Sequence, residues 1–153
     1  MIDNPTLLER TILESIPLAR AMDLSVLEYD GNRLALSAPL ASNVNDKGCA
    51  FGGSMASLMT LAGWGLVNLK LGEAELGAEI FVADSAITYL NPLWDELVAE
   101  AAAEPGHNWP DFIDEFQKRG KARINIAVEM TSLQGGGIVC RMFARFVAKR
   151  SNE

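Results

Sequence analysis

From Gly48 to Leu69 the chain runs for 22 residues without a charged side chain. As a helix, a run of that length could cross a bilayer. It nevertheless holds five glycines (Gly48, Gly52, Gly53, Gly63, Gly65) together with Ser54, Ser57, Thr60 and Asn68, and no basic cluster precedes it. The expected structure is therefore a helix over about 53–71, ended by Gly72 and buried inside a water-soluble fold. A helix that is apolar on nearly all sides must be enclosed by whatever the remainder of the chain forms.

The remainder reads as antiparallel sheet. Asn4 and Pro5 open a short helix with an apolar stripe of Leu8, Ile12 and Ile16. Strands are expected at about 24–30 and 32–38, joined at Asp30-Gly31. A polar loop from Ser42 to Gly48 leads into the uncharged helix. A strand at about 79–90 breaks at Asn91-Pro92, and a strand at about 95–104 closes at Pro105-Gly106. A short helix over about 110–119 stops at Gly120. In the last hairpin Ile124, Ile126, Val128 and Met130 alternate with Arg123, Asn125 and Glu129. After Gly135-Gly136-Gly137, Ile138, Cys140, Met142, Ala144 and Phe146 alternate with Arg141 and Arg145. No linker or repeat divides the chain. The expectation is a single α+β domain over residues 1–153, with about six antiparallel strands wrapped around one long central helix.

The net charge of −7 argues against a general nucleic-acid binder. The charge is uneven: residues 1–117 carry 5 basic and 18 acidic side chains, residues 118–153 carry 8 and 2. Two cysteines, Cys49 and Cys140, are too few for a disulfide framework and read as reduced thiols. The one histidine, His107, leaves no set of ligands at zinc spacing. The start of the chain lacks the basic and apolar pattern of a signal peptide. A cytoplasmic protein without metal or redox cofactor is expected.

The chemistry concentrates at the start of the long helix, Asn45-Asp46-Lys47-Gly48-Cys49-Ala50-Phe51-Gly52-Gly53. Paired glycines allow a ligand to approach the backbone, and first-turn amides are unpaired donors at the positive end of the helix dipole. They can bind an anion or the oxyanion formed when a carbonyl is attacked. The plainer reading is that these glycines only turn the chain.

Asn-x-x-Gly-x-x-Phe-Gly-Gly resembles the Asn-x-x-Gly-x-x-His-Gly-Gly signature of hotdog-fold acyl-CoA thioesterases, with Phe51 in the histidine place. Ile87-Thr88-Tyr89-Leu90-Asn91-Pro92 resembles the end of that family's third strand. The resemblance spans about residues 20–148. Phe51-Gly52-Gly53-Ser54, followed by Leu61-Ala62-Gly63-Trp64-Gly65, is similar to the "putative thioesterase" hotdog domains found alone or behind GNAT acetyltransferases. The resemblance implies a homodimer, or a dimer of dimers, with active sites at the protomer interface. It also implies a thioester carbonyl polarised by the Gly52 or Gly53 amide and placed by Asn45. The family's general base or nucleophile, a carboxylate nine residues after the histidine place, is replaced here by Thr60.

Thr60 is no base at neutral pH and can only hydrogen-bond, for instance to orient a water. Asp84 is the nearest substitute, on the strand leading to Tyr89 among the apolar alternates Val82 and Ala86. Facing a core, it would be desolvated and suited to general-base work. Ser85, on the opposite strand face, is the weaker candidate. A serine-nucleophile reading of Gly52-Gly53-Ser54-Met55-Ala56 lacks the buried strand that must precede such an elbow. Cys49 as nucleophile lacks a histidine nearby in sequence.

Expected substrate contacts are Phe51 and Ser57 on the helix, and Lys121 and Arg123 for the phosphates of coenzyme A or of a phosphopantetheine-bearing carrier protein. The C-terminal cations could equally be a solvated sheet face. Met55, Met59 and Trp64 suggest either an apolar tunnel or simple core. The expected activity is hydrolysis of an acyl thioester, acyl-CoA or acyl-carrier protein. The alternative is a binding or sensing module that kept the cradle and lost the acid. A dehydratase would want a histidine where Phe51 stands.

Overall fold

The computed structural model describes residues 1–152. Helix α1 (Pro5–Ser15) starts where the Asn4 side chain accepts a hydrogen bond from the Leu7 amide at 2.9 Å. It stops earlier than the apolar stripe suggests. Pro17 pushes Ile16 into extended backbone (φ −119°, ψ 98°) and opens a separate short helix, α2 (Pro17–Ala21). Strands β1 (Ser25–Tyr29) and β2 (Arg33–Ala38) form the first hairpin, and a 3-10 turn at Leu40–Ser42 leads into the polar loop. The central helix α3 runs Gly52–Glu73. It is followed by β3 (Ala78–Tyr89), β4 (Leu97–Ala103), α4 (Trp109–Arg119), β5 (Lys121–Thr131) and β6 (Ile138–Arg150).

The six strands form one antiparallel sheet in the order β1-β2-β4-β5-β6-β3. The concave face packs around α3, whose Leu58, Met59, Ala62, Leu66, Val67 and Leu69 are fully buried against Leu34, Leu36, Leu97, Ile126, Met142 and Phe146. Met55 and Met59 are part of this core, 3% and 0% exposed. Trp64 is half-buried and donates from Nε1 to the Ile80 carbonyl at 3.1 Å, tying α3 to β3. No helix among the described residues is long and apolar enough to cross a membrane.

Gly72 does not end the helix. It lies inside the last turn because the chain start crosses there: a Cβ at Gly72 would stand 1.9 Å from the Ile2 carbonyl oxygen. The stop comes after Glu73, with Glu75 in a left-handed conformation (φ 58°).

The pairing of β3 with β6 shifts between Val82 and Asp84. Before this bulge Val82 opposes the buried Phe146; after it Asp84 opposes Arg145 and Ser85 opposes the buried Ala144. The extra residue reverses the alternation, so Asp84, Ala86 and Thr88 face outward while Ser85, Ile87 and Tyr89 face the helix side.

Candidate functional site

The first turn of α3 is held open from three directions. The Phe51 amide donates to the Asn43 carbonyl at 2.7 Å, the Ala50 amide to the Leu93 carbonyl at 2.8 Å, and the Tyr89 hydroxyl to the Gly52 carbonyl at 2.9 Å. The first intrahelical bond is Met55 N to Phe51 O at 3.0 Å, and Phe51, the capping residue, offers no side-chain hydrogen bond. The amides of Gly52, Gly53 and Ser54 thus precede the helical ladder, at the positive end of a 22-residue helix. Partial burial, with Cys140 nearby, raises the Tyr89 phenol above its ordinary value, so the Tyr89–Gly52 clamp keeps its proton.

Phe51 is 53% exposed. Its ring lies across the first turn: a Cβ at Gly53 would fall 2.5 Å from Phe51 Cε2. Only glycine leaves room for the ring there. Where the resembling signature has a histidine, this chain presents an apolar plate beside the free amides.

Asn45 sits in the loop before the helix, but its side chain is largely occupied by the loop itself. Oδ1 accepts from the Lys47 amide at 2.8 Å and Nδ2 lies 3.2 Å from Cys49 Sγ. The loop closes on Asn45 N to Cys49 O at 2.8 Å and Gly48 N to Asn45 O at 3.2 Å. The only charges here, Asp46 and Lys47, pair with each other in solvent at 3.1 Å.

Ser57 and Thr60 follow on the half-buried stripe of α3, one and two turns beyond Gly53. The Thr60 hydroxyl donates to the Ala56 carbonyl at 2.8 Å. With its hydrogen engaged, its oxygen can only accept, so it can receive a hydrogen bond from a water and deprotonate nothing.

Asp84 is not placed as the sequence reading expected. The bulge turns it to the convex face, its side chain is 59% exposed, and Oδ2 accepts from Arg145 Nε at 3.0 Å and from the Arg145 Nη2 group. Strand alternation alone would have put it inward; the extra residue reverses that. Ser85 has the helix-side position instead.

Arg123 and Lys121 also lie apart from the site. Both are exposed on β5, on the convex face, and Lys121 opposes Lys149, which opposes Glu79. Glu79 and Tyr89 stand ten residues apart on β3, roughly 33 Å of strand. Within one protomer these cations do not approach the Gly52 amide. The structure thus brings together Phe51, Gly52, Gly53, Ser57 and Thr60, keeps Asn45 beside them, and separates Asp84, Lys121 and Arg123.

Four contributing residues carry no sufficient signal in the sequence. Asn43, 2% exposed, braces the helix start by donating from Nδ2 to Met22 O at 3.0 Å and Pro39 O at 2.7 Å. In sequence it is one more asparagine of a polar loop. Tyr89 lies in the motif over 87–92, and its reach to the Gly52 carbonyl is set by the fold. Leu18 belongs to α2, signalled only by Pro17, and Met22 caps the C-terminal end of that helix.

Residues 6–150 match the family described as "Putative thioesterase (yiiD_Cterm)". Among solved structures, a protein of unknown function from Chlorobaculum tepidum is 26% identical, with a TM-score of 0.88 over 96% of this chain and 97% of that one. A "putative thioesterase" from Shewanella oneidensis is 27% identical, with a TM-score of 0.85 over 96% and 97%. A thioesterase from Haemophilus influenzae shares the fold at 12% identity, TM-score 0.75, over 100% and 95%.

Proposed function

The chain belongs to the "Putative thioesterase (yiiD_Cterm)" family, with the hotdog fold of its structural neighbours, and from that premise we propose that it hydrolyses acyl thioesters at the first turn of α3. The observation that carries this reading is the set of unpaired amides at Gly52, Gly53 and Ser54, beside an exposed aromatic plate. The thioester carbonyl accepts from the Gly52 and Gly53 amides, whose preorganised dipoles stabilise the charge that develops on oxygen. Water attacks the carbonyl carbon, the C–S bond breaks, and the products are a carboxylic acid and a free thiol. Ser57 and Thr60 line the route of that water, with the Thr60 oxygen as acceptor. The attacking water gives one proton to solvent and the departing thiolate takes one from solvent, since no carboxylate of the same protomer stands on this face of α3 among the described residues.

Coenzyme A or a carrier-borne phosphopantetheine is the proposed leaving thiol, and the proposed working form is a homodimer joined along β3. Support for the dimer lies in the edge itself: a twelve-residue strand whose outer side has no neighbouring strand, with Phe81 and Val82 52% and 44% exposed. An antiparallel copy would bring its strongly basic strand ends toward the Tyr89 end of this chain.

The outward, ion-paired placement of Asp84 favours a second reading, a thioester-binding module without turnover. Thiol release from a panel of acyl-CoAs separates the two. Repeated turnover supports hydrolysis. Saturable binding with no thiol released beyond the uncatalysed rate contradicts it and leaves the binding module. Light scattering at the mass of one chain, 16.6 kDa, would contradict the dimer.

A further inference from the structure

A cavity of about 240 Å³ opens between α2 and the start of α3, lined by Leu18, Met22, Phe51, Gly53, Ser54 and Ser57. It shares Phe51 and Gly53 with the amide end of the helix, so a group held at those amides has this cavity next to it. Its large side chains are all apolar and none of its lining residues is charged. Met22 forms a buried floor, 3% exposed, while Leu18 and Phe51 form walls that are 59% and 53% exposed. Helix α2 is anchored by Ala19 and Met22, 0% and 3% exposed, so Leu18 is not needed to seat it. A solvent-facing leucine and phenylalanine on either side of a buried methionine make a trough for an apolar group.

Resting on the reading of α3 as the carbonyl site, we infer that this trough receives the acyl tail, and that Leu18, Met22 and Phe51 select thioesters of uncharged acyl groups of medium length. At roughly 30 Å³ per small group, the share of one water in the liquid, the cavity holds about eight such groups. Tails of about six to eight carbons fill it, and longer ones project into solvent. A charged tail, such as that of a dicarboxylic acyl group, finds no cation among the lining residues and loses hydration against Leu18, Met22 and Phe51.

The test uses S-alkyl coenzyme A thioethers from ethyl to dodecyl, which cannot be hydrolysed, with binding measured by calorimetry on the full chain. Affinity should rise about fourfold per methylene and level off near eight carbons. Leu18→Trp, at an exposed position that the fold does not depend on, should move that plateau to shorter chains by about two to four carbons. A flat dependence on chain length in the unaltered protein, or an identical profile in Leu18→Trp, would overturn the inference. So would a loss of dimer in Leu18→Arg by light scattering, because the trough would then be covered by a second copy. The two readings fail separately. Length-dependent binding without thiol release keeps the trough and removes hydrolysis. Thiol release with a profile untouched by Leu18→Trp keeps hydrolysis and removes the trough.

Discussion

The two ends of α3 are built oppositely. At the N-terminal end the amides of Gly52, Gly53 and Ser54 lack helical partners, and the side chains around them are half exposed. At the C-terminal end Tyr29, Lys70 and Glu73 engage one another and their neighbours. Tyr29 donates from its hydroxyl to Glu73 Oε1, Lys70 Nζ pairs with Glu73 Oε2 at 3.2 Å and donates to the Gly31 carbonyl at 2.8 Å, and the same ammonium lies 5.9 Å from the Trp109 ring centre. Gly72 accepts the chain start in direct contact. One end is fastened to β1, the β1–β2 turn and α4, and the other is left with donors to spare. Stability resides at the locked end, and the proposed chemistry belongs to the open one.

Glycine-to-alanine changes at the two ends test this contrast most sharply. Gly53→Ala brings a Cβ against the edge of the Phe51 ring, a side chain that can swing away. Misplacing that plate and the first turn should lower kcat/KM by about 10²-fold, the scale for displacements near 1 Å, with little change in denaturant midpoint. Gly72→Ala meets backbone instead, and should cost about 1–3 kcal/mol, read by urea unfolding, while kcat/KM at saturating folded protein stays the same. Equal effects of the two on stability would dissolve the contrast.

At the locked end, burial first and the Glu73 carboxylate second raise the Tyr29 phenol well above its ordinary value of 10.0. The folded chain holds a proton there that the unfolded chain gives up above pH 10. The stability contributed by Tyr29 is therefore intact below that pH and falls as pH rises past it. Tyr29→Phe should cost about 1 kcal/mol at neutral pH for the lost hydrogen bond and should flatten the decline in urea midpoint between pH 9.5 and 11, a range set by the ordinary phenol value. An unchanged alkaline decline would place its cause elsewhere.

The smallest effect is expected at Asp84. Its bond to Arg145 is an exposed ion pair, worth under about 1 kcal/mol, and it faces away from α3. Asp84→Asn should leave kcat/KM within about twofold. A fall of about 10²–10⁴, the usual scale for losing a general base, would return Asp84 to the catalytic machinery.

The strand order of hydrophobic alternation, the Gly120 stop (φ 69°) and the enclosed helix were all legible in the sequence, because each is written locally, in period, cap or turn chemistry. Asp84 was misplaced because a bulge is invisible to alternation: one unpaired residue, Ala83, reverses every assignment after it. Gly72 was misread for a related reason. A glycine after a helical run signals a stop, but here it answers a contact with Ile2, seventy positions earlier in the chain. The first-turn amides were readable from paired glycines. The clamps on them, Asn43 and Tyr89, depend on tertiary reach that no local pattern carries.

The central claim, that a thioester carbonyl is polarised by the open end of α3, can be read directly from the carbonyl. A coenzyme A ketone in which a methylene replaces the thioester sulfur, labelled with ¹³C at the carbonyl, would be bound to the protein and examined by isotope-edited difference infrared spectroscopy. The account predicts that the C=O stretch moves to lower frequency on binding, as donation from the Gly52 and Gly53 amides weakens the bond, and that Gly53→Ala reduces the shift. A bound ligand whose carbonyl absorbs at its frequency in water or higher would contradict the account, whatever the rate of hydrolysis.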